Sequence, residues 1–355
     1  MKIFQVITAS EYGGAQTIVA DLIKNFSKDH EVFVLYGGEG EAWSKLGNNF
    51  KRIRLNKHRK SISPADLITL VKLFYYRFKY RPDIVHLHSS KMGTLGRIAF
   101  RKSTIVYTMH GFDSVRKAFP KFMIIEKVLG NRVAKFVGIC KYDIRCMTEE
   151  GINNDIKLVY NGVEDNSDKV PTNNDQLAKE LERIKSSYPK IVMCIARISH
   201  QKRFDLFVEI AKSMPQFAFV WIGNKDTMPN LPENVYCMGE SHAAYVYLKY
   251  ANVFILPTNY EGLPISLLEA ISFSKPIIAS NVCGIPEIVD GYNGFVVDNT
   301  VEDFTSKINY ILEDETREKE MGEAARKTYL EKFTFAQMTN NYKTIFEEVD
   351  KQNKL

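Results

Sequence analysis

Short apolar, β-branched runs alternate along the chain with longer stretches in which apolar positions recur every three or four residues. In the first half, Ile3–Thr8, Glu31–Tyr36, Arg52–Leu55, Ile84–His88, Thr104–Met109, Phe136–Ile139 and Lys157–Tyr160 read as strands. Helical patterns at 15–28, 64–80, 92–101, 119–133 and 141–150 fall between several of them. Strands separated by helices predict parallel pairing through crossovers, hence a doubly wound α/β sheet.

Residues 165–190 interrupt this rhythm. The run EDNSDKVPTNNDQ is polar, contains Pro171 and has little to bury, so it reads as a linker or the entry to a helix. Alternation then resumes with strands at Ile191–Ala196, Phe217–Ile222, Val235–Met238, Val253–Leu256, Pro276–Ala279 and Gly294–Val297. Helices are expected near 202–213 and 242–250, from about Pro264, and twice more before residue 332. Two α/β domains follow, 1–168 and 186–334, with a central cleft expected where the carboxyl ends of both sheets face it. A last amphipathic segment carries Met338, Tyr342, Ile345, Phe346 and Val349 at helical spacing, and this helix, about 335–355, is expected to pack back on the first domain.

The length of 355 residues suits two domains, and 45% hydrophobic with 25% charged residues excludes a disordered chain. No run approaches the roughly 18 apolar residues a membrane span needs. MKIFQVITAS, broken by Glu11 and Gly13-Gly14, reads as a first strand rather than a signal peptide. A cytoplasmic protein, peripheral at the inner face of the cell membrane, is therefore expected. Cys140, Cys146, Cys194, Cys237 and Cys283 lack the spacing of a metal site or disulfide framework and read as idle thiols.

Charge sharpens the picture. Residues 1–165 hold 27 Lys/Arg against 16 Asp/Glu, whereas the remainder holds 21 against 26. Eleven of the basic residues lie between Lys45 and Arg81, where Asp66 is the one acid. With Trp43, Phe74, Tyr75, Tyr76, Phe78 and Tyr80 close by, the excess points to an anionic membrane surface as partner. No nucleic-acid recognition motif accompanies it.

The segment Asn259–Ala270, NYEGLPISLLEA, follows an apolar strand and opens a helix. Pro264 suits a first helical turn, and the free N–H groups of Ile265, Ser266 and Leu267 would form an anion site there. Glu261 in the loop and Glu269, on the face of Ser266, flank that site as acceptors for hydroxyl groups. In Ile191–Asp205, Arg197 follows a strand and Lys202 starts a helix, so both are expected in the same cleft, where they would stabilise a departing diphosphate. His86 and His88 are read as pointing to opposite sides of their strand, which makes a metal pair improbable, and no DxD pair calls for a metal. His30, His58, His200 and His242 read as surface or packing residues.

The spacing of Glu261 and Glu269 resembles the EX7E motif of glycosyltransferase family 4, and Arg197 with Lys202 resembles its GR…K signature. In the same order, Gly13-Gly14-Ala15 resembles the family's first glycine loop, Asp83–His88 its second motif and Met109-His110-Gly111 its histidine turn. Asn161-Gly162-Val163 resembles its NGV turn, and Gly284-Ile285-Pro286-Glu287 with Asp290–Gly294 its late GIPE…DG..G segment. The family often has glycine before the arginine and after the lysine, where this chain has Ala196 and Arg203, and an acid where it has Gln16.

The resemblance implies a GT-B fold, with an acceptor domain first and a donor domain second, and a retaining glycosyltransferase of bacterial cell-surface polysaccharide assembly. A nucleotide diphosphate sugar, by family habit a UDP-sugar, would be co-substrate to a glycan or lipid-linked acceptor, with no resident cofactor and no metal. It implies Arg197 and Lys202 on the diphosphate, Glu269 on the ribose, Glu261 on the transferred sugar and His110 beside its ring. Gly13 and Gly14 would approach the phosphates, and Gly262, Leu263, Pro264, Ile265 and Ser266 would line the donor site. A nucleotide-sugar epimerase of the same fold and a non-catalytic nucleotide-binding protein are the alternatives.

Overall fold

The computed structural model describes residues 1–44, 46–56, 63–117, 120–152, 155–172 and 175–354. Lys45, Lys57, His58, Arg59 and Lys60, all in or beside the basic segment, lie outside the described residues. The chain divides into two compact units, Met1–Asn161 with Phe335–Leu355, and Gly162–Thr334.

In unit 1 the strands are β1 (Lys2–Ile7), β2 (Glu31–Gly37), β3 (Lys51–Asn56), β4 (Ile84–His88), β5 (Ile105–Met109), β6 (Lys135–Gly138) and β7 (Ile156–Leu158). They pair in parallel in the order β3-β2-β1-β4-β5-β6-β7. Helices α1 (Gly14–Phe26), α2 (Ala65–Tyr80), α3 (Ser90–Ala99), α4 (Asp113–Arg116), α5 (Met123–Val128) and α6 (Lys141–Glu149) connect them. Helices on both faces bury β4 and β5 at every position, which is why these strands read as near-continuous apolar runs. The helix expected over 119–133 is shorter: a 3₁₀ turn at Pro120–Phe122 leads into α5, which ends at Val128.

Unit 2 opens with α7 (Gln176–Ser187), capped by Asp175, whose carboxylate accepts from the Leu177 and Ala178 amides. Strands β8 (Ile191–Ile195), β9 (Ala218–Ile222), β10 (Val235–Cys237), β11 (Val253–Leu256), β12 (Ile277–Ser280) and β13 (Gly294–Val297) form a second parallel sheet, ordered β10-β9-β8-β11-β12-β13. Its helices are α8 (Phe204–Ser213), α9 (Ile265–Ser272), α10 (Val301–Leu312) and α11 (Glu315–Lys332); the segment expected as a helix at 242–250 is a 3₁₀ helix, Ala244–Tyr250.

The first domain ends earlier than residue 168. The Val163 amide donates to the Phe333 carbonyl at 3.0 Å, and the Tyr329 hydroxyl donates back to the Val163 carbonyl at 3.0 Å. Asp165 adds an ion pair with Arg326, whose guanidinium holds that carboxyl down at about 2. These bonds tie the polar segment to unit 2, so the second domain begins well before residue 186.

The final helix α12 (Phe335–Lys354) belongs to unit 1. It buries Met338, Tyr342, Ile345, Phe346 and Val349, with the Tyr342 hydroxyl 3.0 Å from Thr108 Oγ1 and the Phe346 ring tilted against that of Phe26, centroids 5.1 Å apart. Among the described residues no helix is long and apolar enough to cross a membrane.

Both sheets reverse strand order at one place, between β1 and β4 in unit 1 and between β8 and β11 in unit 2. The crevice at the carboxyl ends of such strands is where open α/β sheets take ligands.

Candidate functional site

In unit 2 the reversal point is stitched from side chains. Beyond β11, Thr258 is fully buried; its amide donates to Ser280 Oγ at 2.8 Å and its hydroxyl to Glu261 Oε1 at 2.9 Å. Ser280 donates to Asn299 Oδ1 at 2.6 Å, and Asn299 Nδ2 returns to the Thr258 carbonyl at 2.9 Å. The loop beyond β8 joins the same frame: Asn259 N–H donates to the Gln201 carbonyl at 2.8 Å, and Gln201 Nε2 donates to the Tyr260 carbonyl at 2.7 Å.

Glu261 sits at the centre of this frame. Its Oε1 accepts from Thr258, from Gln201 Nε2 at 3.3 Å and from the Lys202 ammonium. The Glu261 side chain is 9% exposed and that of Lys202 is 17% exposed, so the pair is mostly shielded from water. Lys202 closes a 3₁₀ turn, His200–Lys202, rather than starting the helix, which begins at Phe204. The residue between, Arg203, has φ +42°, a left-handed conformation in which glycine costs nothing. Its guanidinium lies 2.9 Å from Asp205.

Arg197 stands two residues past β8, exposed, and makes no ion pair among the described residues. The structure therefore separates the states of the two predicted cations, Arg197 projecting to solvent and Lys202 held by Glu261.

Gly262, Leu263 and Pro264 lead into α9, with Leu263 and Pro264 buried. The Leu267 amide donates to the Pro264 carbonyl at 3.1 Å, which removes it from the expected anion site. The amides of Ile265 and Ser266 have no acceptor among the described residues, so the open helix end comprises those two. Glu269 is partly buried one turn further on.

Unit 1 presents a different chemistry at its reversal point. Gly13 precedes α1 with extended backbone, and Thr17 is the first amide to return to it, at 2.9 Å. Gly14 is the exposed first residue of α1. His110 follows β5, and His86 and His88 lie on β4. These two are fully buried with ring centres 4.0 Å apart, because strand positions two residues apart share a face. The expectation of opposite sides is corrected accordingly.

A chain of hydrogen bonds runs from the sheet to His110. Gln5 Oε1 lies 2.8 Å from His88 Nε2, and His88 Nδ1 lies 2.9 Å from His110 Nε2. With Gln5 accepting, His88 carries its proton on Nε2, His110 donates from Nε2, and His110 Nδ1 is left as an acceptor. Burial pushes the His110 imidazole down to about 4, and burial reinforced by neighbouring imidazoles lowers His86 and His88 well below their ordinary value. All three rings are neutral at pH 7.

Sequence reading missed Gln5, Thr258, Gln201, Ser280 and Asn299 as supports. The one available signal was a polar residue placed on, or just beyond, an otherwise apolar strand: Gln5 in KIFQVI, Thr258 after VFIL and Ser280 ending IIAS.

Two family models match the chain in succession. The model described as "Glycosyltransferase Family 4" covers residues 12–167, and that described as "Glycosyl transferases group 1" covers residues 175–328. The O-antigen biosynthesis glycosyltransferase WbnH of Escherichia coli is 26% identical over 352 residues, 96% of this chain and 97% of that protein. The Escherichia coli UDP-Gal:alpha-D-GlcNAc-diphosphoundecaprenol alpha-1,3-galactosyltransferase is 29% identical over 280 residues, 70% of this chain and 71% of that protein. Among solved structures, Anabaena HepE in complex with UDP-glucose superposes with a TM-score of 0.85 at 17% identity, covering 98% of this chain and all of that one. At that identity the likeness establishes a shared fold.

Proposed function

The chain belongs to the family 4 type of GT-B glycosyltransferases, and from that premise we propose that it transfers a sugar from a UDP-sugar with retention at the anomeric carbon. The acceptor is a hydroxyl of a lipid-linked glycan in the assembly of a cell-surface polysaccharide, at the cytoplasmic face of the membrane. Supporting the donor are the UDP-glucose in the name of the HepE complex and the UDP-Gal in that of the galactosyltransferase. Supporting the acceptor are the latter's diphosphoundecaprenol substrate and the O-antigen role named for WbnH.

The observation that carries the reading is the frame around Glu261, next in sequence to an α9 end with two free amides. In the transfer, the bond between the anomeric carbon and the diphosphate oxygen breaks and a bond to the acceptor oxygen forms on the same face. The acceptor's proton leaves on the departing diphosphate, giving UDP and the lengthened glycan. Charge grows on the diphosphate, and the Ile265 and Ser266 amides, Arg197 and Lys202 stabilise it electrostatically. Lys202 has first to exchange part of its contact with Glu261, which turns to hydroxyls of the transferred sugar. Glu269 accepts from the ribose. By the family resemblance His110, with its neutral acceptor nitrogen, is assigned to the transferred sugar, and Gly13 and Gly14 to the phosphates. The sugar nucleotide is a co-substrate, and the chemistry calls for no resident cofactor.

The test is a thermal-shift and hydrolysis screen against UDP-, GDP- and ADP-sugars. Stabilisation and slow sugar release with a UDP-sugar is the expected result. Absence of both with every donor contradicts the reading.

A further inference from the structure

The residues assigned to the donor lie beyond the carboxyl ends of β8 and β11. The opposite ends of the same sheet enclose a separate cavity of about 380 Å³. Its lining residues stand just before three strands: Lys190 before β8, Asn252 before β11, and Ser274, Lys275 and Pro276 before β12. Helix α11 closes it with Glu315, Glu318, Lys319 and Glu323. Small-molecule sites span about 300–1,000 Å³, so the volume suits a small reactant.

The charges on the wall are paired among themselves, with one exception. Lys190, its side chain 15% exposed, lies 2.9 Å from Glu318 and 3.5 Å from Glu315. The other oxygen of Glu318 accepts from Asn252 Nδ2 at 2.8 Å, and Lys319, at the rim, lies 3.9 Å from Glu323. The exception is Lys275. It is half-buried, and among the described residues its ammonium makes no hydrogen bond or ion pair.

The backbone holds this lysine on the wall. Its amide donates to the Ala270 carbonyl at 3.1 Å, after Ser274 turns through φ +56°. A Cβ on Gly322 of α11 would fall 2.4 Å from the Ser274 carbonyl oxygen, so α11 seats directly against the turn. An ammonium shielded from water without a counter-ion is costly, and shedding its proton removes that cost. Burial pushes the Lys275 amine down to about 8, against the pull of the Glu318 charge, with Lys185 on α7 adding to the fall. At pH 7.5 about a quarter of such amines are neutral, against about 0.1% for an ordinary lysine, an excess of about 200-fold. Lower basicity gives part of this back: on the slope of about 0.4–0.5 known for thiols, about 10- to 20-fold remains.

We propose that Lys275 is a modification site, acylated by a small acyl phosphate that enters this cavity. The neutral Nζ attacks the carbonyl carbon, an N–C bond forms, and the bond from that carbon to the phosphate oxygen breaks. Inorganic phosphate leaves with the electron pair, and the surplus amine proton passes to water. Lys319 at the rim attracts the phosphate end of the reactant. The product is an uncharged amide, which suits a half-buried position without a counter-ion better than the ammonium does. The site is separate from the transfer chemistry and does not rest on it.

The experiment is timed treatment of the full chain with acetyl phosphate over a range of pH. After quenching and denaturation, the remaining amines are capped with deuterated acetic anhydride. Mass spectrometry then reads the light-to-heavy ratio at each lysine. At pH 7.5 Lys275 should be acetylated about tenfold or more faster than the exposed Lys212 and Lys225. Its rate should level off above about pH 8.5, whereas theirs keeps rising. In concentrated urea, which opens the cavity, the excess should vanish.

Labelling of Lys275 no faster than that of Lys212 and Lys225 overturns the proposal, as does a pH profile parallel to theirs. An excess that survives urea assigns the reactivity to the local Lys275-Pro276 sequence and overturns the role of the cavity. An excess with acetic anhydride but none with acetyl phosphate overturns the acyl phosphate as the reactant.

Discussion

Replacing Glu261 by glutamine changes one carboxylate oxygen to an amide and removes the charge that holds Lys202. Glutamine can still accept from the Thr258 hydroxyl through its one carbonyl oxygen, 2.9 Å away in the native frame. The ammonium of Lys202, 17% exposed, loses its counter-charge. The pair lies between a surface bridge, worth about 0–1 kcal/mol, and a fully buried one, whose breakage costs about 3–5 kcal/mol, so a loss near 2 kcal/mol is expected. For a unit of this size, that lowers its melting transition by about 4–8 °C. The kinetic effect is separable. A charged hydrogen bond to a sugar hydroxyl contributes about 1.5–3 kcal/mol, so kcat/KM for the UDP-sugar should fall about 10- to 150-fold. Affinity for UDP alone should fall less than about tenfold, because Glu261 is assigned to the sugar and not to the diphosphate. Calorimetry with UDP, set beside donor turnover, measures both. Donor turnover within twofold of wild type refutes the assignment, as does an equal loss for UDP and UDP-sugar.

Glu269→Ala should weaken UDP binding about tenfold or more through loss of the ribose contact, readable by titration; unchanged affinity would count against the ribose role. Arg203→Gly should stabilise unit 2 by up to about 1 kcal/mol, since it relieves a left-handed residue at φ +42° and gives up only a partly exposed pair with Asp205; a lower melting temperature contradicts this. Gly223→Ala should do the reverse, by about 3 kcal/mol or more, because at φ +126° a Cβ would lie 2.3 Å from the Ala196 carbonyl oxygen. Finally, His86, His88 and His110 have folded pKa values below their unfolded ones, that of His110 at about 4, so as pH falls through about 6.5 the unfolded chain binds more protons. Their stabilising contribution is full at pH 7.5 and is lost on that acidification, at up to about 1.4 kcal/mol per pH unit for each ring. Urea midpoints at pH 7.5 and 5.5 check this, and equal midpoints contradict it.

The strands were legible because parallel strands, covered on both faces, must be apolar throughout, as VFIL and IIAS are. The two doubly wound sheets followed from the alternation, and the candidate residues were picked out by motifs whose spacing is local. What escaped reading was non-local or a matter of one hydrogen bond. The brace from Thr258 to Ser280 and Asn299 joins residues up to 41 apart, which no window of sequence displays. Leu267 closes a turn onto Pro264 where an open helix end was expected. The domain boundary moved because Val163 and Asp165 bond to Phe333, Tyr329 and Arg326, more than a hundred residues away. His86 and His88 were assigned to opposite sides despite a two-residue spacing, and burial of both shows the period that should have governed. Arg203 adopts a left-handed backbone that glycine would take without strain, although nothing local in HQKRFD announces it.

The central claim is retaining transfer from a UDP-sugar, and the most direct test follows the donor by proton NMR as the full chain hydrolyses it. From an α-linked UDP-sugar, the account predicts UDP and, before mutarotation, the α anomer of the free sugar, with both signals suppressed in Glu261→Gln. The β anomer appearing first would contradict retention, and no consumption of any UDP-sugar would contradict the donor assignment itself.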